Sequence, residues 1–134
     1  MATVDLTKSN FEDVVTKHDV VIVDFWAPWC GPCKSFAPVF EAASEKYGDV
    51  VFGKVNADDE QELAGSFGIR SIPTLMVFRE KVILFSQPGA LPAQGLESVI
   101  TQAKALDMAK VREDMAEQER AANAGDRRGA VSPS

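Results

Sequence analysis

The chain has 134 residues, 46% of them hydrophobic, which suits one globular domain with a sizeable core and room for an appendage. Its formal charge of −6 falls entirely on residues 1–107, with 9 basic against 15 acidic side chains, whereas residues 108–134 carry 5 of each. An acidic body without a basic cluster repels phosphate backbones and anionic lipid, so the expected partners are proteins, with no nucleic acid and no membrane. Met1 to Asn10 lacks the continuous apolar stretch of a signal peptide, and no run approaches the roughly 20 apolar residues of a membrane span. A cytoplasmic location is the expectation.

Ser9 followed by Glu12 has the form of a capping box, and Phe11, Val14 and Val15 follow at helical spacing, predicting a first helix over 9–17. The β-branched run from Val20 to Phe25 predicts a central strand buried on both faces, with Asp24 as its anomaly. Phe36, Val39, Phe40, Ala43 and Tyr47 mark one face of a second helix, which holds Pro38 as a kink and stops at Gly48. A strand over 50–55, a short helix to Phe67, strands over 74–79 and 82–86, and a helix from Pro92 carrying Leu96, Val99, Ile100 and Ala103 follow. The turn at Glu80 and Lys81 lacks an Asn-Gly type signal. The predicted order is β-α-β-α-β-α-β-β-α, an α/β fold with a mixed sheet covered on both faces. Past Asp107 the helical pattern thins without stopping, and Val111 and Met115 extend the last helix; from Asn123 the pattern predicts disorder. The domain division is 1–107 for the main domain and 108–134 for a helical extension and disordered tail.

The chain has 2 cysteines, Cys30 and Cys33, set between the central strand and the second helix. The thiolate is the nucleophile in sulfur exchange, so a working pair needs one cysteine with a stabilised anion and access to substrate. Cys30 lies where the helix begins, where unpaired backbone N–H groups and the helix dipole favour an anion, and Lys34 adds a positive charge. Cys33, one turn inside, is expected to be more buried. The roles follow: Cys30 attacks a substrate disulfide, and Cys33 resolves the mixed disulfide. Gly31 and Pro32 keep the turn tight, Pro32 suiting the first helical turn because its missing N–H is not needed there. Asp24 has two compatible readings, a general base poised by burial for the Cys33 proton, or a carboxylate paired with Lys54. Pro73, opening the strand at Thr74, is read on base rates as a trans proline. Two cysteines and His18 fall short of the four ligands of a structural zinc, so no metal is expected.

The blocks VDFWAPWCGPCK, Lys54, GIRSIPT and PGAL, in this order and spacing, resemble the thioredoxin family over residues 4–106. The resemblance implies a mixed five-stranded sheet flanked by four helices and a protein-disulfide reductase that works through a redox-active Cys30–Cys33 disulfide. It implies no bound cofactor, NADPH acting only indirectly through a thioredoxin reductase, disulfide-containing protein substrates, and a monomer. It assigns Cys30, Cys33, Asp24, Lys54 and a cis Pro73 to catalysis. It assigns Trp29, Gly31, Pro32, Ile72, Gly89 and Ala90 to an apolar docking face, where Ile72 offers backbone hydrogen bonds, and Trp26 to support beneath the active-site loop. Pro88 departs from the family pattern because it cannot donate a backbone N–H at the docking edge. The extension past Asp107 is a second departure; it supports an alternative in which the chain is a binding or chaperone module that docks a dedicated partner through that helix.

Overall fold

The β-branched run beginning at Val20 forms β2 (Val20–Trp26), the middle strand of a five-stranded sheet ordered β1-β3-β2-β4-β5. The computed structural model describes residues 2–131 and the side chains of residues 2–124. The other strands are β1 (Thr3–Asp5), β3 (Val51–Asn56), β4 (Thr74–Arg79) and β5 (Val82–Pro88). β1, β3 and β2 run parallel, while β4 is antiparallel to both β2 and β5. This is the mixed sheet that the strand pattern predicts, and β1 is the strand whose residues that pattern leaves unplaced.

Every residue from Val20 to Phe25 is buried, and alternation along the strand divides them between two cores. Val20 and Ile22 pack with Phe36 and Phe40 of α2 (Gly31–Lys46) and with Leu96 and Ile100 of α4 (Ala93–Ala105). Val21, Val23 and Phe25 pack with Phe11 and Val15 of α1 (Phe11–Lys17) and Ala64 of α3 (Gln61–Ser66). Asp24 shares the parity of Val20 and Ile22, so it is directed to the side of α2, the helix that starts at the cysteines. Pro38 does not end α2, which runs through it to Lys46. At the neighbouring strand, a Cβ on Gly53 would come within 2.8 Å of Leu6 Cγ; glycine there lets the buried Leu6 pack directly on the β3 backbone.

Three local readings are corrected. The capping box at Ser9 does not form: the N-cap of α1 is Asn10, without a side-chain cap, and its Oδ1 accepts instead from the Thr7 N–H at 2.7 Å. Ser9 Oγ is 2.9 Å from Thr7 Oγ1, so the hydroxyl is engaged outside the helix. The predicted continuation of α4 is also interrupted. Asp107 Oδ1 accepts the N–H groups of Ala109 (3.1 Å) and Lys110 (3.3 Å), starting a separate fifth helix, α5 (Met108–Val131). Two compact units divide the chain, Met1–Lys104 and Ala105–Ser134. Finally, α5 continues over residues 123–131, where the pattern predicts no regular structure; residues 132–134 lie outside the described residues. Apolar periodicity reports burial, whereas alanine and arginine carry helix propensity with no buried face.

The β4–β5 hairpin turns through Glu80 (φ 49°) and Lys81 (φ 71°), both in the left-handed region. A two-residue hairpin with positive φ at both central positions is where Asn-Gly is ordinarily found. Replacing Lys81 by Gly removes the Cβ crowding of that conformation, and Lys81→Gly is expected to stabilise the protein by about 1 kcal/mol in urea unfolding. An unchanged or lower midpoint would contradict this.

Candidate active site

Three segments converge on the sulfurs. β2 ends at Trp26, and the short link through Ala27 to Trp29 delivers Cys30 as the N-cap of α2, with Pro32 in the first turn. The second segment follows α3. There Gly68 (φ 67°) closes the helix, its N–H donating to Gly65 O at 3.0 Å and that of Ile69 to Ala64 O at 3.1 Å. This pattern, which needs a left-handed residue, turns the chain back toward the cysteines and brings Ile72 and Pro73 beside them. The third is the loop after β5, held by the Gly89 N–H donating to Pro73 O at 2.8 Å.

Cys30 and Cys33 are joined in a disulfide with a Cα–Cα distance of 5.3 Å. Cys30 Sγ accepts the backbone N–H of Cys33 at 3.2 Å and lies 3.7 Å from the Ile72 carbonyl oxygen. A sulfur at a helix N-cap that already accepts an N–H is placed to hold negative charge. The expected contrast in burial is absent in this oxidised state, since Cys30 is 4% exposed and Cys33 3%. Ile72, arriving from 42 residues downstream, covers Cys30, and no local pattern could show that. What distinguishes the two sulfurs is their position on the helix.

The Ile72–Pro73 bond is cis, as the resemblance implies and against the base-rate reading. Gly31, Pro32, Gly89 and Ala90 are exposed, Ile72 is half-buried and Trp29 is 68% exposed. An apolar, accessible rim thus surrounds the disulfide. Pro88 pairs with Thr74 at the end of β5, beside that rim.

Asp24, on the α2 side of β2, is 1% exposed, and neither carboxylate oxygen has a hydrogen-bond partner among the described residues. It stands opposite Lys54 in the β2–β3 register and opposite Leu75 in the β2–β4 register. Burial pushes its carboxyl up to about 7, and the nearby Lys54 charge acts the other way. The Lys54 ammonium does not close an ion pair with it; Nζ sits 4.8 Å from the centre of the Trp26 ring. Trp26 therefore bridges the loop and Lys54. Lys54 thus acts on Asp24 through its charge without a direct contact.

Two residues that the sequence patterns did not single out also reach the site. The Trp29 Nε1–H donates to Asp58 Oδ2 at 2.8 Å, and Asn56 Oδ1 accepts the amide of Asp58 at 3.0 Å. The signal was present in the run Asn56-Ala57-Asp58-Asp59, an Asx-turn composition directly after a strand. Among the described residues no group of three or more His, Cys, Asp and Glu side chains is arranged to hold a metal, and no helix is long and apolar enough to cross a membrane.

A family model described as Thioredoxin matches residues 2–102. The Streptomyces coelicolor protein named "Putative thioredoxin 2" is 57% identical over 118 residues, covering 88% of this chain and 88% of that protein. Thioredoxin from Haemophilus influenzae is 46% identical over 99 residues, covering 72% of this chain and 92% of its own length. Among solved structures, a point mutant of thioredoxin from Halobacterium salinarum superposes with a TM-score of 0.73 at 31% identity, covering 78% of this chain and 92% of that one.

Proposed function

The chain belongs to the thioredoxin family and is a thiol-disulfide oxidoreductase that reduces protein disulfides, and from that premise we propose how its residues divide the reaction. In the reduced protein the Cys30 thiolate attacks one sulfur of a substrate disulfide. The other substrate sulfur leaves as a thiolate and takes up a proton, and a Cys30–substrate mixed disulfide remains. Cys33 then gives its proton to the Asp24 carboxylate and attacks Cys30 Sγ, which releases the second substrate thiol and leaves the Cys30–Cys33 disulfide. Both electrons that reduce the substrate come from the two cysteines.

The observation that carries this division is Cys30 at the N-cap of α2, its sulfur accepting the Cys33 N–H. Helix N-termini stabilise an anion by about 0.3–1 kcal/mol, rising to about 2 in partly buried geometries. That favours Cys30 as the thiolate that attacks first. Asp24, raised by burial to about 7, can take up and release a proton near neutral pH. Lys54 supports its ionised form, and Trp26 holds Lys54 in place. Trp29, Gly31, Pro32, Ile72, Gly89 and Ala90 form the docking face; Pro73, next to Ile72 in the chain, is buried. Ile72 supplies backbone hydrogen bonds to an extended substrate strand.

The oxidised protein is recharged by a thioredoxin reductase drawing on NADPH, and the protein works as a cytoplasmic monomer. The main domain spans residues 1–107, and residues 108–134 are an extension that the chemistry does not use. Insulin reduction coupled to a bacterial thioredoxin reductase and NADPH tests the proposal. Wild type is expected to sustain NADPH oxidation, and a Cys30→Ser, Cys33→Ser variant to sustain none. Turnover with dithiothreitol but not with reductase would retain the chemistry and overturn the reductase assignment.

A further inference from the structure

We propose that Asn56 is a positioning residue for protein substrates: by holding the turn after β3 it fixes Asp58, which in turn fixes the exposed indole of Trp29 beside the disulfide. Asn56 ends β3, opposite Trp26 in register with β2, so its backbone is anchored in the sheet. Its Oδ1 accepts the N–H groups of Asp58 at 3.0 Å and Asp59 at 3.4 Å. Backbone bonds tie the same turn down, with Ala57 N–H on Trp26 O (2.7 Å) and Glu60 N–H on Asn56 O (2.9 Å). Gln61 Nε2 donates to Asp58 O at 3.2 Å. One Asp58 carboxylate oxygen then takes the Trp29 Nε1–H at 2.8 Å.

Trp29 needs this support because it is 68% exposed and no core cluster includes it. An unanchored surface indole samples several rotamers, and a docking partner must then pay for freezing them. The turn also builds one wall of the docking surface. Ala57 and Gln61 line a cleft of about 290 Å³ together with Trp29, Arg70, Ser71 and Ile72, next to Cys30. The Asn56 side-chain oxygen is spent on the amides of Asp58 and Asp59, so its influence runs through the placement of Trp29 and this wall. Aspartate carries the same acceptor at the same reach, whereas alanine leaves two amides to water.

This inference rests on the reading that Trp29 contacts substrate, and the test separates the two. Steady-state reduction of insulin and of hydroxyethyl disulfide, with dithiothreitol as recycling reductant, would be measured for five variants beside wild type: Asn56→Ala, Asn56→Asp, Asp58→Ala, the Asn56→Ala, Asp58→Ala double variant, and Trp29→Ala. Loss of the turn's hydrogen bonds in Asn56→Ala is expected to raise the KM for insulin about threefold to tenfold, with kcat within about twofold. The KM rise should be clearly smaller for hydroxyethyl disulfide, which is too small to span the face. Asn56→Asp should restore the insulin KM, and the Asn56→Ala effect should vanish in the Asp58→Ala background. An insulin KM raised by Trp29→Ala but not by Asn56→Ala would overturn the positioning role alone. Equal losses on both substrates, failure of Asn56→Asp to rescue, or full additivity in the double variant would mark a merely structural residue. An insulin KM untouched by Trp29→Ala would instead remove the docking reading beneath the proposal.

Discussion

The Asp24→Asn variant is expected to gain stability over wild type as pH rises from 4 to 8, by about 4 kcal/mol across that interval for the oxidised protein. The carboxyl is 1% exposed without a hydrogen-bond partner among the described residues, and burial raises it from 3.8 to about 7. Below the unfolded value the acid is neutral in both states and contributes nothing. Between the two values the unfolded chain ionises Asp24 and the folded one does not, so the unfolded state is increasingly favoured. Above about 7 both states are ionised and the penalty has reached its full size. The buried amide has its own cost, about 1–3 kcal/mol, but that cost is the same at both pH values and drops out of the comparison. Urea unfolding of both proteins at pH 4 and pH 8 measures it. A gap that does not change with pH would mean that Asp24 titrates near its ordinary value, as a satisfied structural carboxylate would. The same variant should slow resolution of a preformed mixed disulfide in stopped-flow, because the amide cannot take the Cys33 proton.

That Asp24 is anomalous was legible in the sequence, because a single carboxylate interrupts a β-branched run whose length and content demand burial on both faces. The position of Cys30 at a strand-to-helix junction was equally legible from the change of apolar period on either side of it. Contacts made by residues far apart in the chain were not. Ile72 covers Cys30 from 42 positions away, which erases the burial contrast that local reasoning gives the two cysteines. Ser9 and Glu12 matched a capping pattern, but the Asn10 side chain turned back to Thr7 and Asp5 and set the helix start one residue later. Glu80 and Lys81 form a tight turn without the residues that favour it, because pairing of Arg79 with Val82 leaves two positions to reverse the chain. Asp107 carried a helix-start signal that the fading apolar period concealed. Asn56 and Asp58 reach the site through side-chain hydrogen bonds, and apolar periodicity does not register those.

The second large effect separates the two thiols. Cys30→Ser removes the nucleophile at the helix N-cap and is expected to lower insulin reduction by roughly 10³-fold or more. Cys33→Ser keeps the nucleophile and removes the thiol that releases it, so it should attack once and stop. Helix position supports this asymmetry: Cys30 accepts the Cys33 N–H at 3.2 Å from the N-cap, while Cys33 lies within the first turn. Catalytic turnover alone cannot tell the roles apart, since both variants lose it. Intact-protein mass spectrometry can. Each reduced variant would be mixed with a disulfide-containing protein, quenched with acid, and weighed with and without dithiothreitol. The account predicts a reductant-sensitive adduct of one substrate chain on Cys30 in Cys33→Ser and none in Cys30→Ser; an adduct that accumulates on Cys33 in Cys30→Ser, with Cys33→Ser left bare, would contradict it.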